Sequence, residues 1–243
     1  MIRDDQKRFF DEEGYLVVEN LLSAGEVAFY SKLYNSFLND EIDASRYRSD
    51  LSGQKGKKER ITQIMVPSKF VPALLHKPLH QKTLSTAKAL LGADMALDFD
   101  MLINKAPFTD TPSPWHQDAA YWIDMPDKRA VSCWVAIDSA HKENGCMWYT
   151  PKSHISPLLP HSQVGNKGAL QCEGSEKGSV CVELDPGSCV FHHGGTLHYS
   201  RGNTTAENRR AFITNFRPLT MIQLEREQGV DHTGERALKA IKK

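Results

Sequence analysis

The stretch GSCVFHHGGTLHYSRGNTTAENRRAFITNFRP, residues 187–218, alternates short β-prone segments with turn residues. β-Branched and aromatic side chains dominate GSCVFHH and RRAFITNFRP, and a run rich in Gly, Asn and Thr separates them. Similar segments occur throughout the chain after Gly92: MALDFDMLINK, AVSCWVAID, GCMWYTP and SVCVELD. Short strands separated by turns, with helices gathered at the N-terminal end, predict an antiparallel two-sheet barrel with a helical layer outside.

The first 92 residues have mostly helical patterns. Residues 4–13 form a charged segment with Phe9 and Phe10 on one side, and Gly14 ends it before the β-prone YLVVEN. Ser23 is a typical helix N-cap before a segment with helical spacing, and HQKTLSTAKALLG predicts a further helix that ends at Gly92. Residues 46–60 are polar and basic, which predicts a solvated loop.

The length of 243 residues fits one domain. We expect a mostly helical layer over residues 1–92, a barrel core over 93–220 and a C-terminal tail over 221–243.

The composition favours a small-molecule ligand. Thirty basic residues balance thirty acidic ones, so no electrostatic field is expected to attract nucleic acid or an anionic membrane. There is no run of eighteen apolar residues and no secretory leader pattern, which predicts a cytoplasmic protein without a membrane span. The sequence leaves the oligomeric state open.

The five cysteines are scattered along the chain, are odd in number and contain no CxxC pair: Cys133, Cys146, Cys172, Cys181 and Cys189. This pattern argues against a disulfide framework or a thiolate zinc site. We expect reduced thiols that are mostly packed inside the protein.

The run TPSPWHQDAAYW, residues 111–122, places His116 and Asp118 two positions apart. On a β-strand, side chains at i and i+2 point to the same face, so both would face the barrel interior while Gln117 turns away. An imidazole and a carboxylate are two of the three ligands of a 2-His-1-carboxylate iron site. The third ligand would be a histidine, and the candidates are His192, His193 and His198.

Four motifs together resemble the phytanoyl-CoA dioxygenase family of Fe(II)- and 2-oxoglutarate-dependent oxygenases. They run nearly end to end: FFDEEGYLVVENLLS, PSPWHQDAAYW, CWVAIDSAHKENGCMWYTPKSH and GSCVFHHGGTLHYSRGNTTAENRRAF. The resemblance implies a double-stranded β-helix, that is a cupin-like jelly roll, and the cofactors Fe(II), 2-oxoglutarate and O2. Lys152 and Ser188 depart from the family pattern, at turns that are not expected to contact a ligand.

The resemblance also implies residue roles. It identifies His198 as the third iron ligand, beside His116 and Asp118, and aligns His193 with a histidine that packs near the site without binding metal. By the same resemblance Arg209 pairs with the distal carboxylate of 2-oxoglutarate.

Other roles follow from the same family resemblance. Ser200 assists that arginine, while Trp134 and Met101 are expected beside the cosubstrate. Adjacent strand residues face opposite ways, so only one of Arg209 and Arg210 can enter the pocket. Arginine suits this role because its planar guanidinium group stays charged and donates two parallel hydrogen bonds to a carboxylate.

Three further histidines are expected to have no part in the site. His154 closes TPKSH and is interpreted as structural. His76 and His80 are expected at the surface, because Pro78 would break a helix that aligned them.

The expected reaction is hydroxylation of an apolar small molecule, with release of succinate and CO2; desaturation or rearrangement stays open. Aromatic residues near the metal strands predict an apolar substrate pocket, with Tyr121, Trp122 and Trp148 as candidates. Residues 158–179 form either a lid or a surface loop. Two other classes remain as alternatives: a catalytically silent jelly-roll binding protein and a zinc-dependent hydrolase.

Overall fold

The computed structural model describes residues 2–52, 59–164 and 169–231. The helices are α1 (Asp4–Glu13), α2 (Ala24–Leu38), α3 (Pro67–Phe70), α4 (Pro78–Leu91) and α5 (Leu219–Glu227). The strands are β1 (Tyr15–Val18), β2 (Arg48–Asp50), β3 (Ile61–Met65), β4 (Met95–Lys105), β5 (Ser113–His116), β6 (Val131–Ala136), β7 (Met147–Tyr149), β8 (Ser162–Gln163), β9 (Leu170–Gln171), β10 (Val180–Val182), β11 (Cys189–His193), β12 (His198–Ser200) and β13 (Arg209–Pro218).

Local sequence signals start and end the N-terminal helices. The Ser23 hydroxyl accepts a hydrogen bond from the backbone N–H of Glu26, and the Glu26 carboxylate accepts one from the Ser23 N–H, which forms a capping box at α2. Gly14 ends α1 at a φ of 80°, a left-handed conformation that glycine adopts without strain. The predicted helices over 4–13, after Ser23 and before Gly92 are therefore present.

Pro78 begins α4 instead of breaking a helix, because proline fits the first helical turn, where its missing N–H has no intrahelical partner. His80 consequently faces the core and is 3% exposed, with its Nε2 2.9 Å from Asp100 Oδ2. The prediction that His80 lies at the surface is wrong. His76 is exposed as expected.

Two antiparallel sheets face each other. The larger has the order β1-β11-β6-β13-β4-β3-β2 and the smaller has the order β10-β7-β12-β5, while β8 and β9 form a separate hairpin. The fold is the predicted mainly-β jelly roll with N-terminal helices packed on one sheet.

Alternation along the strands of the large sheet separates two hydrophobic cores. On β6, Cys133 and Val135 pack against the helices, whereas Trp134 and Ala136 face the space between the sheets. β13 alternates in the same way, so Phe212 faces the helices and the odd-numbered Arg209, Ala211 and Ile213 face the interior. On each of these strands, an odd or even residue number therefore decides whether the side chain reaches the cavity.

Two segments that were predicted as a loop and a tail, residues 46–60 and 221–243, contain regular secondary structure. Part of the expected loop 46–60 forms β2, which pairs with β3 at the edge of the large sheet, where the Asp50 carboxylate accepts hydrogen bonds from the backbone of Ser52, Arg60 and Ile61. Residues 53–58 lie outside the described part of that loop.

The expected C-terminal tail begins within α5. Glu225 on this helix is buried and forms an ion pair with Arg217, which also pairs with the buried Asp98. Residues 232–243 of the expected tail lie outside the described chain, and the assignment of 1–243 to one domain stays a prediction. No helix within the described ranges is long and apolar enough to cross a membrane.

Candidate active site

The register of the small sheet brings two of the predicted ligands together. His116 ends β5 and His198 begins β12, and the two residues are directly paired in the antiparallel ladder. Their ring centroids lie 4.2 Å apart. Residues 82 positions apart in the chain thus become neighbours by strand pairing alone.

Asp118 lies beyond the end of β5, in a short 3-10 turn over Asp118–Tyr121, so the prediction that it shares a strand with His116 is wrong. The turn nevertheless directs its carboxylate to the two imidazoles, with Oδ1 3.8 Å from Nε2 of both His116 and His198. Gln117 does turn away: its side chain is buried and donates a hydrogen bond to the carbonyl of Gly195. The ligand atoms of the triad all lie within 4.8 Å of one another, which allows one metal ion to contact all three.

Backbone carbonyls orient both rings. Nδ1 of His116 donates to the carbonyl of Pro114 and Nδ1 of His198 donates to that of Thr196, each at 2.8 Å. Since a carbonyl can only accept, the proton of each neutral ring is on Nδ1, and Nε2 presents its lone pair to the centre of the triad. This is the usual second-sphere arrangement of metal-binding histidines.

The other carboxylate oxygen of Asp118 is already occupied. Oδ2 accepts hydrogen bonds from the Ser132 hydroxyl at 2.6 Å and from His192 Nε2 at 3.1 Å, and Asn215 Nδ2 donates to Ser132 Oγ at 2.8 Å. Oδ1 is therefore the oxygen that remains for a metal ion. Our reading of the sequence missed Ser132 and Asn215; the available signal was a polar residue at an inward position of the apolar strand β6.

His192, and not His193, is the second histidine beside the triad. On β11 the even-numbered residues face the interior, so His192 contacts Asp118, and its Nδ1 lies 3.3 Å from the Tyr149 hydroxyl. His193 points to the opposite side of the sheet, where its ring lies beside His154. The expectation that His193 packs near the site is corrected, while His154 has the expected structural position, with Nε2 donating to the carbonyl of Asp11.

The electrostatics favour the protonation states that metal binding requires. Burial would raise the pKa of Asp118, but the hydrogen bond from His192 and the adjacent imidazoles of His198 and His116 lower this pKa well below 3.8. Burial lowers the pKa of His116 and, more strongly, that of His198 below 6.5. At neutral pH the carboxylate is ionised and both imidazoles are neutral, as ligands must be.

A cavity of about 230 Å³ contains the triad and, on its inner wall, Arg209 and Ser200. Arg209 is 1% exposed, and its Nε and Nη1, like the hydroxyl of Ser200, have no hydrogen-bond partner among the described residues. The Arg209 guanidinium lies over the Trp134 ring, 5.0 Å from the centroid, and Met101 lines the same wall. A buried cation with unused donors fits the carboxylate of a cosubstrate, because such groups are otherwise costly to bury.

Arg210 takes the opposite side of β13, as the strand alternation predicts. Its guanidinium forms an ion pair with Asp138 at 2.7 Å and donates to Asn35 on α2. Arg210 is therefore absent from the cavity wall.

Of the predicted pocket aromatics, only Tyr121 lines the cavity. Met147 points inward on β7, so its neighbour Trp148 points outward, where the Arg201 guanidinium lies over the indole at 5.1 Å. Trp122 packs beneath the guanidinium of Arg217 instead. The assignment of Trp122 and Trp148 to the substrate pocket is corrected.

Strand β3 supplies a wall of the cavity that our sequence analysis missed. Ile61, Gln63 and Met65 line the cavity, while Ile64 packs in the core under the helices. Both faces of this strand are buried, and the letters ITQIM show no apolar–polar alternation that would have distinguished the cavity face in the sequence.

The segment 158–179 borders the cavity through Ala169. Its hairpin β8–β9 is anchored by the N–H of Leu170, which donates to the Tyr121 hydroxyl at 2.7 Å. Residues 165–168 lie outside the described part of this segment, and its role as a lid stays a prediction.

A jelly roll that gathers two histidines and one carboxylate in an interior cavity has the fold and ligand set of the non-haem iron oxygenases. The sequence model described as "Phytanoyl-CoA dioxygenase (PhyH)" matches residues 10–211. The chain belongs to the phytanoyl-CoA dioxygenase family. The predicted family and enzyme class, an Fe(II)/2-oxoglutarate-dependent dioxygenase, are confirmed.

Individual relatives agree with this assignment. Peroxisomal phytanoyl-CoA dioxygenase from Bos taurus is 24% identical over 227 residues, covering 87% of this chain and 67% of the relative. Ectoine dioxygenase from Stutzerimonas stutzeri is 26% identical over 219 residues, covering 82% and 72%. The crystal structure of EvdO2 from Micromonospora carbonacea var. aurantiaca matches with a TM-score of 0.76 and 30% identity, covering 89% of this chain and 91% of EvdO2.

Proposed function

We propose that this protein uses Fe(II), 2-oxoglutarate and O2 to hydroxylate an uncharged, largely apolar small molecule, with release of succinate and CO2. The observation that carries the proposal is the single cavity that contains both the His116, Asp118, His198 triad and the unpaired donors of Arg209. The similarity to EvdO2 supports it, since EvdO2 has also been crystallised with 2-oxoglutarate, in a structure 28% identical to this chain.

In this proposal Nε2 of His116, Nε2 of His198 and Oδ1 of Asp118 hold the iron. Together with 2-oxoglutarate, the bound Fe(II) supplies the activation of O2 and the oxidation of a substrate C–H bond. Ser132 and His192 keep Asp118 Oδ2 occupied by hydrogen bonds, so the carboxylate binds through one oxygen. A set of two histidines and one carboxylate would leave positions on the iron for the cosubstrate and O2.

Arg209 binds the distal carboxylate of 2-oxoglutarate, and the Ser200 hydroxyl donates a further hydrogen bond. Both groups are buried, so the interaction is formed away from water, where an ion pair is strong. The guanidinium lies over the Trp134 ring, and Met101 also lines the cavity.

The substrate occupies the part of the cavity next to β3. Leu51, Ile61, Met65 and Phe99 provide apolar surface there, with Gln63 as a neutral hydrogen-bonding group. Among the described residues lining the cavity, only Asp118 and Arg209 are acidic or strongly basic, and both have roles in binding the iron and the cosubstrate. A charged substrate group would be buried without a counter-ion, which favours an uncharged substrate.

The test is substrate-stimulated release of succinate from 2-oxoglutarate, measured with anaerobically reconstituted protein. We expect turnover with Fe(II) but not with Zn²⁺, and none in His116→Ala. His76→Ala is the matched control, because His76 is exposed and does not line the cavity.

Absence of both 2-oxoglutarate binding and succinate release would overturn the proposal in favour of a silent binding protein, and cleavage of a test ester or amide with Zn²⁺, without succinate release, would favour a hydrolase. A substrate panel pairing neutral apolar compounds with their carboxylate and acyl-CoA derivatives tests the substrate class. Stimulation by the charged members alone would contradict it. The cytoplasmic location is proposed on the sequence alone, and fractionation of the source cells tests it.

A further inference from the structure

Two cysteines that are distant in the sequence meet at the outer edge of the small sheet. Cys146 immediately precedes β7, and Cys181 lies on β10, which pairs with β7 in antiparallel register. Their Sγ atoms lie 3.2 Å apart. A carboxylate oxygen of Glu183 completes a group whose ligand atoms all lie within 4.8 Å of one another.

We propose that Cys146, Cys181 and Glu183 form a second metal site that takes a thiophilic divalent cation such as Zn²⁺. Two sulfurs and one carboxylate oxygen are a set that Zn²⁺ accepts, and water would complete a tetrahedron. The proposal goes beyond the oxygenase function and does not depend on it. It also revises the sequence-based expectation of no thiolate metal site, which rested on the absence of a CxxC pair.

The distances fit a metal ion better than a disulfide. With Zn–S bonds of about 2.3 Å and a tetrahedral angle, two bound sulfurs are about 3.8 Å apart. The observed pair has to open by about 0.6 Å to accept the ion, whereas a disulfide requires closing by about 1.2 Å. The first movement is within the reach of small side-chain rotations.

The surroundings leave the site open to solvent on one side and favour the protonated, neutral form of both thiols. Cys146 is buried, Cys181 is half-buried and Glu183 is exposed, so an ion enters from the Glu183 side. Burial raises the pKa of the Cys146 thiol and also that of Cys181. Binding of Zn²⁺ therefore releases two protons, and the affinity rises with pH.

The position of the site indicates a structural function. β10 is an edge strand of the small sheet, and the ion would join it to the residue preceding β7. Cys146 packs in the same core as Trp134 and Tyr149, and its neighbour Met147 lines the cavity. A bound ion would hold this wall of the cavity in place, and binding to the folded state alone would raise the thermal stability.

Titration of the reduced full-length protein with Co²⁺ under anaerobic conditions tests the site. Thiolate ligands give Co²⁺ an intense near-ultraviolet charge-transfer band that a ligand set of imidazoles and carboxylate lacks. We expect this band in the wild-type protein and in His116→Ala, its loss in Cys181→Ser, and weaker Co²⁺ binding in Glu183→Gln, which removes the carboxylate ligand. Cys172→Ser, which changes a half-buried cysteine outside the group, is the matched control and should retain the band.

A second measurement needs no variant. Alkylation of the wild-type protein, read by peptide mass spectrometry, should be slowed by Zn²⁺ at Cys181 and unchanged at Cys172. Equal labelling of Cys181 with and without Zn²⁺, or no Co²⁺ band in protein with reduced thiols, would overturn the proposal. Because the band is expected in His116→Ala, failure of the thiolate site and failure of the oxygenase proposal are distinguishable.

Discussion

Replacement of Arg209 by methionine should stabilise the protein without 2-oxoglutarate and abolish its response to that ligand. The guanidinium is fully buried, and its Nε and Nη1 have no partner among the described residues. Nearby, the buried Lys105 donates to the carbonyl of Thr111, and its pKa is lowered well below 10.5 by burial and by the charge of Arg209. A positive charge on Arg209 therefore disfavours a positive charge on the buried Lys105 beside it.

The magnitude follows from the cost of burying the charge. Burial lowers the pKa of Arg209 from its ordinary value to about 10, which corresponds to about 3 kcal/mol of disfavoured charge in the folded protein. The folded pKa is the lower one, so this cost is present at every pH below the folded pKa and disappears as the pH rises through it toward the pKa of the unfolded chain. Loss of the contact with Trp134 costs about 1 kcal/mol. Methionine fills the space without a charge, so we expect a net gain of about 2 kcal/mol in the free energy of unfolding near neutral pH.

Urea unfolding with and without 2-oxoglutarate, in the presence of Fe(II) under anaerobic conditions, measures both effects. At a ligand concentration of about 100 times Kd the wild-type protein should gain about 2.7 kcal/mol, and Arg209→Met should gain nothing. Arg210→Met is the matched control: it loses the ion pair with Asp138 but should keep the full response to 2-oxoglutarate. A less stable Arg209→Met protein, or one that 2-oxoglutarate stabilises as much as the wild type, would refute the reasoning.

Three further outcomes are expected. Ser132→Ala removes one of the two donors to Asp118 Oδ2 and should weaken Fe(II) binding by about tenfold, measured by anaerobic calorimetry. An unchanged affinity would show that this hydrogen bond does not position the Asp118 carboxylate. Asp98→Ala leaves Glu225 to face both Arg217 and Arg226, so a buried positive charge is only partly compensated, and should cost about 3 kcal/mol in urea unfolding. Asp94→Ala, at an exposed ion pair, should cost clearly less; equal losses would contradict the role of burial. Burial, with neighbouring imidazoles, lowers the pKa of His193 to about 4 in the folded protein. As the pH falls, His193 is therefore protonated in the unfolded chain before it is protonated in the folded protein, and about 2 kcal/mol of the free energy of unfolding should be lost as the pH falls from about 7.5 to 5. The His193→Gln protein should lack that part of the pH dependence. A pH profile of stability identical to that of the wild-type protein would contradict this role of His193.

Local signals were sufficient for much of this protein. The capping box at Ser23 and the apolar alternation of β6 and β13 act within a few residues, so they can be read from the chain itself. The choice of Arg209 over Arg210 followed from the same alternation together with the family resemblance. The errors arose where a neighbour distant in the chain determines the environment. His80 is buried because Asp100 lies opposite it, and Trp148 faces outward because its neighbour Met147 takes the inward position.

The sequence by itself determined the class of fold, the family and the residue types of the site, because strand period, turn composition and motif spacing are properties of short segments. Only the tertiary structure decided which atoms meet. Strand pairing placed His198 opposite His116, and the pairing of β10 with β7 brought Cys146 next to Cys181. The alternation of side chains along β11 placed His192 and not His193 against Asp118. The physical reason is that each of these contacts depends on the register between segments far apart in the chain, and a shift of one residue would turn every side chain to the other face.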